Sequence, residues 1–128
     1  PPVPSSGDAT TLTQAERAWI AEHPVVRLMP NPLFPPYEYF DEDGHFLGIG
    51  AEFVALMEKK LGIHFDVIWV ENWQESVAKT KGRENDVWSV VGYTYKWGFG
   101  SRADWPELHA ILEKGLAQIT PKERQAII

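Results

Sequence analysis

Prolines restrict the fold of this chain most sharply between residues 30 and 36, where the sequence reads PNPLFPP. Proline has no backbone N–H and a fixed φ, so this segment forms neither a helix nor an inner strand of a sheet. The preceding residues 25–29 are apolar except for Arg27 and are typical of a buried strand. We therefore expect an ordered loop that leaves the end of a buried strand.

A hairpin is predicted directly after this loop. Residues 37–40 and 45–49 are rich in aromatic and apolar side chains and flank the sequence DEDG. Its Asp-Gly pair supplies the positive φ that a tight turn requires. The two segments therefore predict a small β-hairpin.

Helix signals recur along the chain. Thr13 and Glu16 form a capping box, and residues 51–61 place apolar side chains at helical spacing before Gly62, a typical C-cap. Asp104 is predicted to cap a helix that has Pro106 in its first turn. Helices are predicted from Thr13 to about residue 23, over 51–61, from Asn72 to about 81, from Asp104 to about 119, and from Thr120 onward.

Strand-like segments alternate with these helices. Residues 64–70 and 86–91 are rich in β-branched and aromatic side chains. Residues 93–102 alternate aromatic and small side chains, and Gly98 and Gly100 weaken this strand. The alternation of strands with helices indicates an α/β fold: a single three-layer lobe with a mainly parallel sheet of about four or five strands flanked by helices, plus the small hairpin. Residues 1–11 are predicted to be a flexible tether, and 12–128 to form the lobe.

Composition excludes several classes of function. Twelve Lys and Arg against 18 Asp and Glu give a net charge of −6, which disfavours nucleic-acid binding. The absence of cysteine excludes disulfides, thiol catalysis, Fe–S clusters and cysteine-ligated zinc. No apolar run approaches the roughly 18 residues that span a bilayer, so we expect any export signal or membrane anchor to lie outside this chain.

No catalytic or metal-binding pattern stands out. The chain has no Ser/His/Asp arrangement, no convergent carboxylate pair that spacing supports, and no phosphate-binding loop, so we expect no enzymatic activity. The acidic residues Glu38 and 41–43 depart from the calcium-loop order, and the four histidines lack i, i+4 pairing. We therefore predict neither a metal nor a cofactor.

Several motifs together resemble a known family. The Pro-Pro-aromatic-Glu loop at 35–38, the Asp43-Gly44 turn, the helix ending at Leu61-Gly62, and then Asn72-Trp73 and Asp86 are similar to the opening of the family 3 bacterial extracellular solute-binding proteins, which have the type 2 periplasmic binding fold. Segments 92–97, 102–108 and 119–124 resemble the subset that serves as extracytoplasmic sensor domains of membrane histidine kinases and diguanylate cyclases.

The chain also departs from that family. Its members resemble two lobes that close on a ligand, whereas here Val91-Gly92 passes directly into the returning strand. The second lobe is thus missing, deleted near residues 91–93. No arginine follows Thr94 at the family spacing, so the family's carboxylate clamp is also absent. We expect a solitary first lobe.

The resemblance implies which residues contact a ligand. Phe34 and Trp73 match positions where rings stack on the ligand, and Asn31 matches a polar contact. Alternatively, Phe34 packs its own loop, Trp73 covers a helix start, and Arg102 forms an ion pair with Asp104. The full set of candidate ligand-binding residues is Asn31, Phe34, Tyr37, Trp73, Gly92, Thr94 and Arg102.

Tryptophan positions divide into two groups. Trp19, Trp69 and Trp88 fall on helix or strand positions consistent with the core. The plausible exposed rings are therefore Trp73, Trp97 and Trp105.

Two functions remain open. The resemblance implies a periplasmic, non-enzymatic sensing module for a small, polar, amino-acid-like solute. Its parent would be membrane-anchored, with the signal leaving through a membrane helix after residue 128, and a lone lobe would bind weakly. The alternative is a structural role, in which a cleft face carrying Phe34, Trp73 and Tyr93 or Trp97 forms a homodimer, with strand exchange as one form of it.

Overall fold

A computed structural model describes residues 11–91 and 97–127 of the chain. The elements are, in chain order, α1 (Gln14–Glu22), β1 (Val25–Pro30), β2 (Leu33–Phe34), β3 (Glu38–Phe40), β4 (Phe46–Leu47), α2 (Ile49–Leu61), β5 (His64–Val67), α3 (Trp73–Lys81), β6 (Val87–Val91), β7 (Trp97–Ser101), α4 (Pro106–Ala117) and α5 (Pro121–Ile127).

The main sheet has the strand order β5-β1-β6-β7. Strand β1 pairs in parallel with β5 and β6, and β7 returns antiparallel to β6. Core side chains of β1 and β6 pack with α1, α2 and α4 on one face. The other face carries α3, whose Trp73 meets the ring of Trp88. The predicted three-layer α/β lobe with a mainly parallel sheet is confirmed.

Strand β7 explains why aromatic residues alternate with glycines. Trp97 and Phe99 point into the core, while Gly98 and Gly100 lie on the α3 face. A Cβ atom on Gly100 would overlap the ring of Trp88, which crosses it on the neighbouring strand. The glycine that weakens the strand in isolation therefore makes room for a large ring.

The predicted hairpin is present as β3 and β4, and it carries an additional strand. Leu33 and Phe34 pair with Tyr39 and Glu38, so the segment expected to be entirely loop contains the two-residue edge strand β2. The surrounding prolines allow this because β2 needs ladder hydrogen bonds on one side only.

Several element boundaries differ from the prediction. Helix α2 begins at Ile49, earlier than expected, and Gly48 with φ +103° is its N-cap. Only glycine fits at position 48, because a Cβ there would lie 2.7 Å from the carbonyl oxygens of Pro36 and Tyr37. Strand β5 ends at Val67 rather than at residue 70. The N-cap of α4 is Trp105 and makes no side-chain cap bond, since the carboxylate of Asp104 binds Arg102 instead.

Two of the tryptophan predictions were wrong. Trp69 is 56% exposed because β5 stops before it, and Trp97 is 4% exposed because it points into the core. Trp19 is buried and Trp73 exposed, as predicted, while Trp88 and Trp105 are half-buried.

The predicted tether falls almost entirely outside the described residues, since residues 1–10 are not among them. Within the described ranges, no helix combines the length and apolar character needed to cross a bilayer.

Candidate functional site

The ends of the parallel strands define the candidate site. In open α/β sheets, ligands bind in the crevice at the carboxyl ends of the strands. Here β1 leads into residues 31–37, and β5 leads into residues 68–73 at the start of α3. We call these two segments the carboxyl edge.

Asn31 is the first residue beyond β1. Its N–H donates to the carbonyl of Ser89 at 3.0 Å, and its side-chain Oδ1 accepts from the N–H of Leu33 at 3.3 Å. The second bond is an Asx turn, which bends the chain without using ladder partners. Asn31 is therefore held firmly at the carboxyl edge and is half-buried there.

Phe34 and Tyr37 fold the Pro-rich loop onto itself. Their ring centroids lie 4.8 Å apart, and the N–H of Tyr37 donates to the carbonyl of Phe34 at 2.8 Å. Tyr37 also packs against the core. Phe34 thus packs within its own loop, as one of the two interpretations expects, and both rings keep part of their surface exposed.

Trp73 opens α3 beside this loop system. Asn72 caps the helix by accepting from the N–H of Glu75 at 2.8 Å, and the Trp73 ring meets Trp88 edge to face at 5.7 Å. Trp73 remains 37% exposed. The structure therefore places Asn31, Phe34, Tyr37 and Trp73 on the two segments of one edge of the sheet.

Two exposed side chains at the carboxyl edge were missed. Leu33 is 67% exposed and Trp69 is 56% exposed. The β-branched and aromatic character of residues 64–70 favoured a longer strand and placed Trp69 inside it. The signal that marks Leu33 is its position between prolines, where an apolar side chain has no regular element to pack on.

Arg102 lies at the opposite end of the sheet. Its N–H donates to the carbonyl of Asp86, just before β6, and its guanidinium binds Asp86 at 3.0 Å and Asp104 at 2.8 Å. The guanidinium carbon also lies 4.0 Å from the ring centroid of Trp105. The ion pair with Asp104 is present, and the structure does not bring Arg102 together with Asn31, Phe34 and Trp73.

Asp86 completes an ion-pair cluster at this end, the amino edge. Its carboxylate accepts from the N–H of Arg27 at 2.9 Å and from the Arg27 guanidinium at 3.1 Å. Burial raises the pKa of Asp86, but the bonds from Arg27 and Arg102 outweigh burial and bring the pKa below its ordinary value. The Arg102 hydrogen bond lowers the pKa of Asp104 to about 2.

Glu38 is buried, although acidic side chains usually lie on the surface. Strand alternation puts it on the inward face of the small sheet with Phe40, and it is 0% exposed. Burial raises its pKa to about 7, although hydrogen bonds from Ser89, Asn31 and Val91 oppose the shift. The alternation of the hairpin strands was the signal that could have found it.

Two further candidates, Gly92 and Thr94, lie outside the described residues. At the hairpin turn, one ligand atom each from Asp41, Asp43 and His45 lies within 4.8 Å of the others. These contacts are accounted for by the turn itself, since Asp41 accepts from the N–H groups of Asp43 and His45 at 2.9 and 2.8 Å.

Fold and edge geometry define a class: the described residues have the fold of one lobe of a periplasmic solute-binding protein. It superimposes on domain 1 of TmArgBP in its arginine-bound form with a TM-score of 0.63, at 15% identity, over 78% of this chain and 97% of that one. The BvgS periplasmic VFT2 domain of Bordetella pertussis matches with a TM-score of 0.57 at 33% identity, over 61% of this chain and 33% of that one.

Sequence relatives narrow the class further. The virulence sensor protein BvgS of Bordetella pertussis is 36% identical over 72 residues, 56% of this chain and 6% of BvgS. The sensor protein EvgS of Escherichia coli K12 is 33% identical over 61 residues, 48% of this chain and 5% of EvgS. No protein-family model matches the chain. The chain is homologous to short parts of the sensor proteins BvgS and EvgS, and the predicted resemblance to periplasmic sensor domains is confirmed.

Proposed function

We propose that this chain is a non-enzymatic sensing module that supplies one wall of a binding site for a small, polar, amino-acid-like solute. The observation that carries the proposal is the placement of Asn31, Phe34 and Trp73 on the loops after β1 and β5, at one edge of the sheet. Ligand sites of open α/β sheets form at this edge.

The side chains at the carboxyl edge suit such a solute. The part-exposed rings of Phe34 and Trp73 offer flat surfaces for apolar or cationic groups. The held amide of Asn31 offers a fixed polar contact that orients the solute. TmArgBP domain 1, a single lobe of the same fold, was solved in an arginine-bound form, which supports L-arginine as the first solute to test.

A single lobe also sets the expected affinity. Strands β6 and β7 pair directly, Val91 with Trp97, so the five residues 92–96 join them. This short connection supports the proposal that residues 12–128 are one lobe whose partner lobe is absent at residues 91–93. A one-sided groove leaves much of its ligand in water, so binding in the millimolar range is expected.

Titration calorimetry with L-arginine, followed by the other amino acids, tests this proposal. Weak saturable binding that Trp73→Ala abolishes is the expected result. Val25→Ala, a truncation of a 50% exposed residue at the far end of β1, is the matched control and should leave binding unchanged. Absence of binding to every amino acid at millimolar concentration would exclude the function, and submicromolar binding by the monomer would exclude the one-sided site.

Self-association is the second candidate function, favoured by the exposed apolar residues of the carboxyl edge. Leu33, Trp69 and Trp73 are all exposed there, and such patches favour association between copies. Strand β7 pairs with β6 of its own chain, which favours a dimer without strand exchange. Light scattering at high micromolar concentration should show a dimer that Leu33→Glu disperses; a strict monomer would contradict this function.

Homology to BvgS and EvgS supports a wider role in signal transduction. We propose that the parent protein is membrane-anchored and that the state of the lobe is passed on through α5. Helix α5 is joined to the lobe through the ion pair of Lys60 on α2 with Glu123, at 2.9 Å.

A further inference from the structure

Glu38 joins three parts of the lobe at the carboxyl edge. Its Oε2 accepts from the hydroxyl of Ser89 at 3.1 Å. Its Oε1 accepts at 3.3 Å from the N–H of Asn31, which also donates to the Ser89 carbonyl at 3.0 Å, and the N–H of Val91 helps to lower the pKa of the same carboxylate. Asn31 begins the candidate ligand loop, and Ser89 and Val91 lie in the last half of β6. One side chain thus connects the ligand loop to the end of the central strand.

The first turn of helix α2 packs directly against the Glu38 side chain. A Cβ atom on Gly50, in the first turn of α2, would overlap the Glu38 side chain. The absence of a side chain at position 50 therefore lets the helix start approach the carboxylate closely. The close fit leaves the carboxylate no access to water.

Within residues 11–91 and 97–127, the side chains and N–H groups that donate to this carboxylate are all neutral. Among the described residues packed around it, β2, β6 and residues 49–51 of α2 carry no charged side chain. Glu52, the next residue of α2, is exposed, and the Tyr37 ring packs at a tilt against Phe34. A buried carboxylate that has only neutral donors gives up its charge more readily than one paired with arginine.

The partners of Glu38 accommodate both protonation states. The N–H groups of Asn31 and Val91 can only donate, but the Ser89 hydroxyl can donate or accept. When Glu38 is ionised, all three groups donate to it. When it is protonated on Oε2, its O–H can donate to the Ser89 oxygen while Oε1 still accepts from Asn31, and the bonds from the two N–H groups lose their charge assistance.

We propose that Glu38 is the positioning residue of the candidate ligand site, and that its protonation state sets how firmly the loop starting at Asn31 is held against the end of β6. This role rests on the proposed function, because the held loop is the one that would carry the ligand contacts. Ionised Glu38 holds the loop firmly, and protonation loosens it. The burial of Glu38 raises its pKa to about 7, so both states are populated near neutral pH.

A pH titration without ligand tests whether the protonation of Glu38 changes the loop that starts at Asn31. Nuclear magnetic resonance of the full chain should show the Glu38 side-chain carbon titrating near pH 7, with the amide signals of Asn31 and Val91 following the same midpoint. Glu38→Gln preserves the shape, accepts from Asn31 and donates to Ser89, and should abolish the amide titration. The matched control, Glu52→Gln on the exposed side of α2, should leave it intact.

A ligand titration tests the link to binding. L-arginine should bind about fivefold more weakly at pH 6 than at pH 8, and Glu38→Gln should remove this dependence. A Glu38 midpoint near its ordinary value of 4.5, or amide signals that ignore it, would overturn the proposal. An intact amide titration with no arginine binding would reject the proposed solute while leaving the proton-dependent loop in place. Arginine binding with the same affinity at both pH values would overturn the positioning role alone.

Discussion

A buried carboxylate lies next to each of the two edges of the main sheet, and the surroundings of the two carboxylates are opposite. Asp86 at the amino edge receives hydrogen bonds from the guanidinium groups of Arg27 and Arg102. Glu38 at the carboxyl edge receives hydrogen bonds from neutral donors. The pKa of Asp86 is accordingly lowered and that of Glu38 raised. The amino edge is built to keep its charges, whereas the carboxyl edge keeps a carboxylate that can lose its charge near neutral pH, a pattern common at functional sites.

Opposite pKa shifts give opposite pH dependence of stability. Because the folded-state pKa of Glu38 lies above 4.5, its contribution is fully present below pH 4.5 and is lost as the pH rises through about 7. The lowered pKa of Asp86 gives a contribution that is present above its ordinary value of 3.8 and lost as the pH falls through the folded-state pKa. Mildly acidic pH should therefore suit this fold best.

Removing the Asp86 carboxylate at the amino edge should cause the largest change in the free energy of unfolding. Asp86→Ala leaves the guanidinium groups of Arg27 and Arg102 without their shared partner, and breaking a buried ion pair costs about 3–5 kcal/mol. Urea unfolding at pH 7 measures this loss. Asp104→Ala, whose carboxylate is partly exposed, is the comparison and should cost clearly less. Equal losses in both variants would show that Asp86 has no special place in the cluster.

Neutralising the Glu38 carboxylate at the carboxyl edge should instead increase the free energy of unfolding. Glu38→Gln at pH 8 should raise the free energy of unfolding by up to about 3 kcal/mol, because the amide accepts from Asn31 and donates to Ser89 without a buried charge. Urea unfolding from pH 5 to pH 8 should show wild-type stability falling and the variant nearly level. A variant less stable than wild type at pH 8 would mean that the charge is better satisfied than its neutral donors indicate.

Crowding the carboxyl edge should cost less than breaking the amino edge. Gly50→Ala forces a methyl group against Glu38, and such overpacking costs about 1–3 kcal/mol. Thermal unfolding is a suitable measurement. Gly82→Ala is the matched control, because a Cβ there would meet the Ala78 carbonyl oxygen at an ordinary 3.5 Å. A Gly50→Ala protein as stable as wild type would show that the helix start yields easily.

The smallest effect is expected at the rim of the amino edge. Arg83 approaches Asp104 at 3.8 Å, and its side chain is largely exposed. Exposed pairs of this kind contribute about 0–1 kcal/mol, so Arg83→Gln should change the unfolding midpoint very little. A loss of stability as large as that of Asp86→Ala would show that exposed Arg83 belongs to the stabilising ion-pair cluster.

Much of this architecture follows from local patterns. Alternating strands and helices predict the parallel sheet, and residues in the loops after parallel strands, such as Asn31 and Trp73, lie at the same edge of it. Arg102 also ends a strand, but that strand returns antiparallel, so its end lies at the opposite edge. The direction of β7 depends on pairing across the sheet, which no local pattern determines.

Burial was harder to predict where it depends on distant packing. Trp69 was expected in the core and is exposed, because β5 is three residues shorter than expected. Trp97 was expected at the surface and is buried, because β7 points it into the core. Glu38 has the polarity of a surface residue, and it is buried because α2 covers the hairpin at Gly50. Such cover joins residues far apart in the chain and is invisible to a residue-by-residue interpretation.

The contact between β6 and β7 should produce correlated substitutions in homologous sequences. The ring of Trp88 occupies the space that a side chain at position 100 would need. Among homologues with this strand pair, the two positions should therefore change together: a residue larger than glycine at 100 should occur with a small residue at 88, and a tryptophan at 88 with glycine at 100.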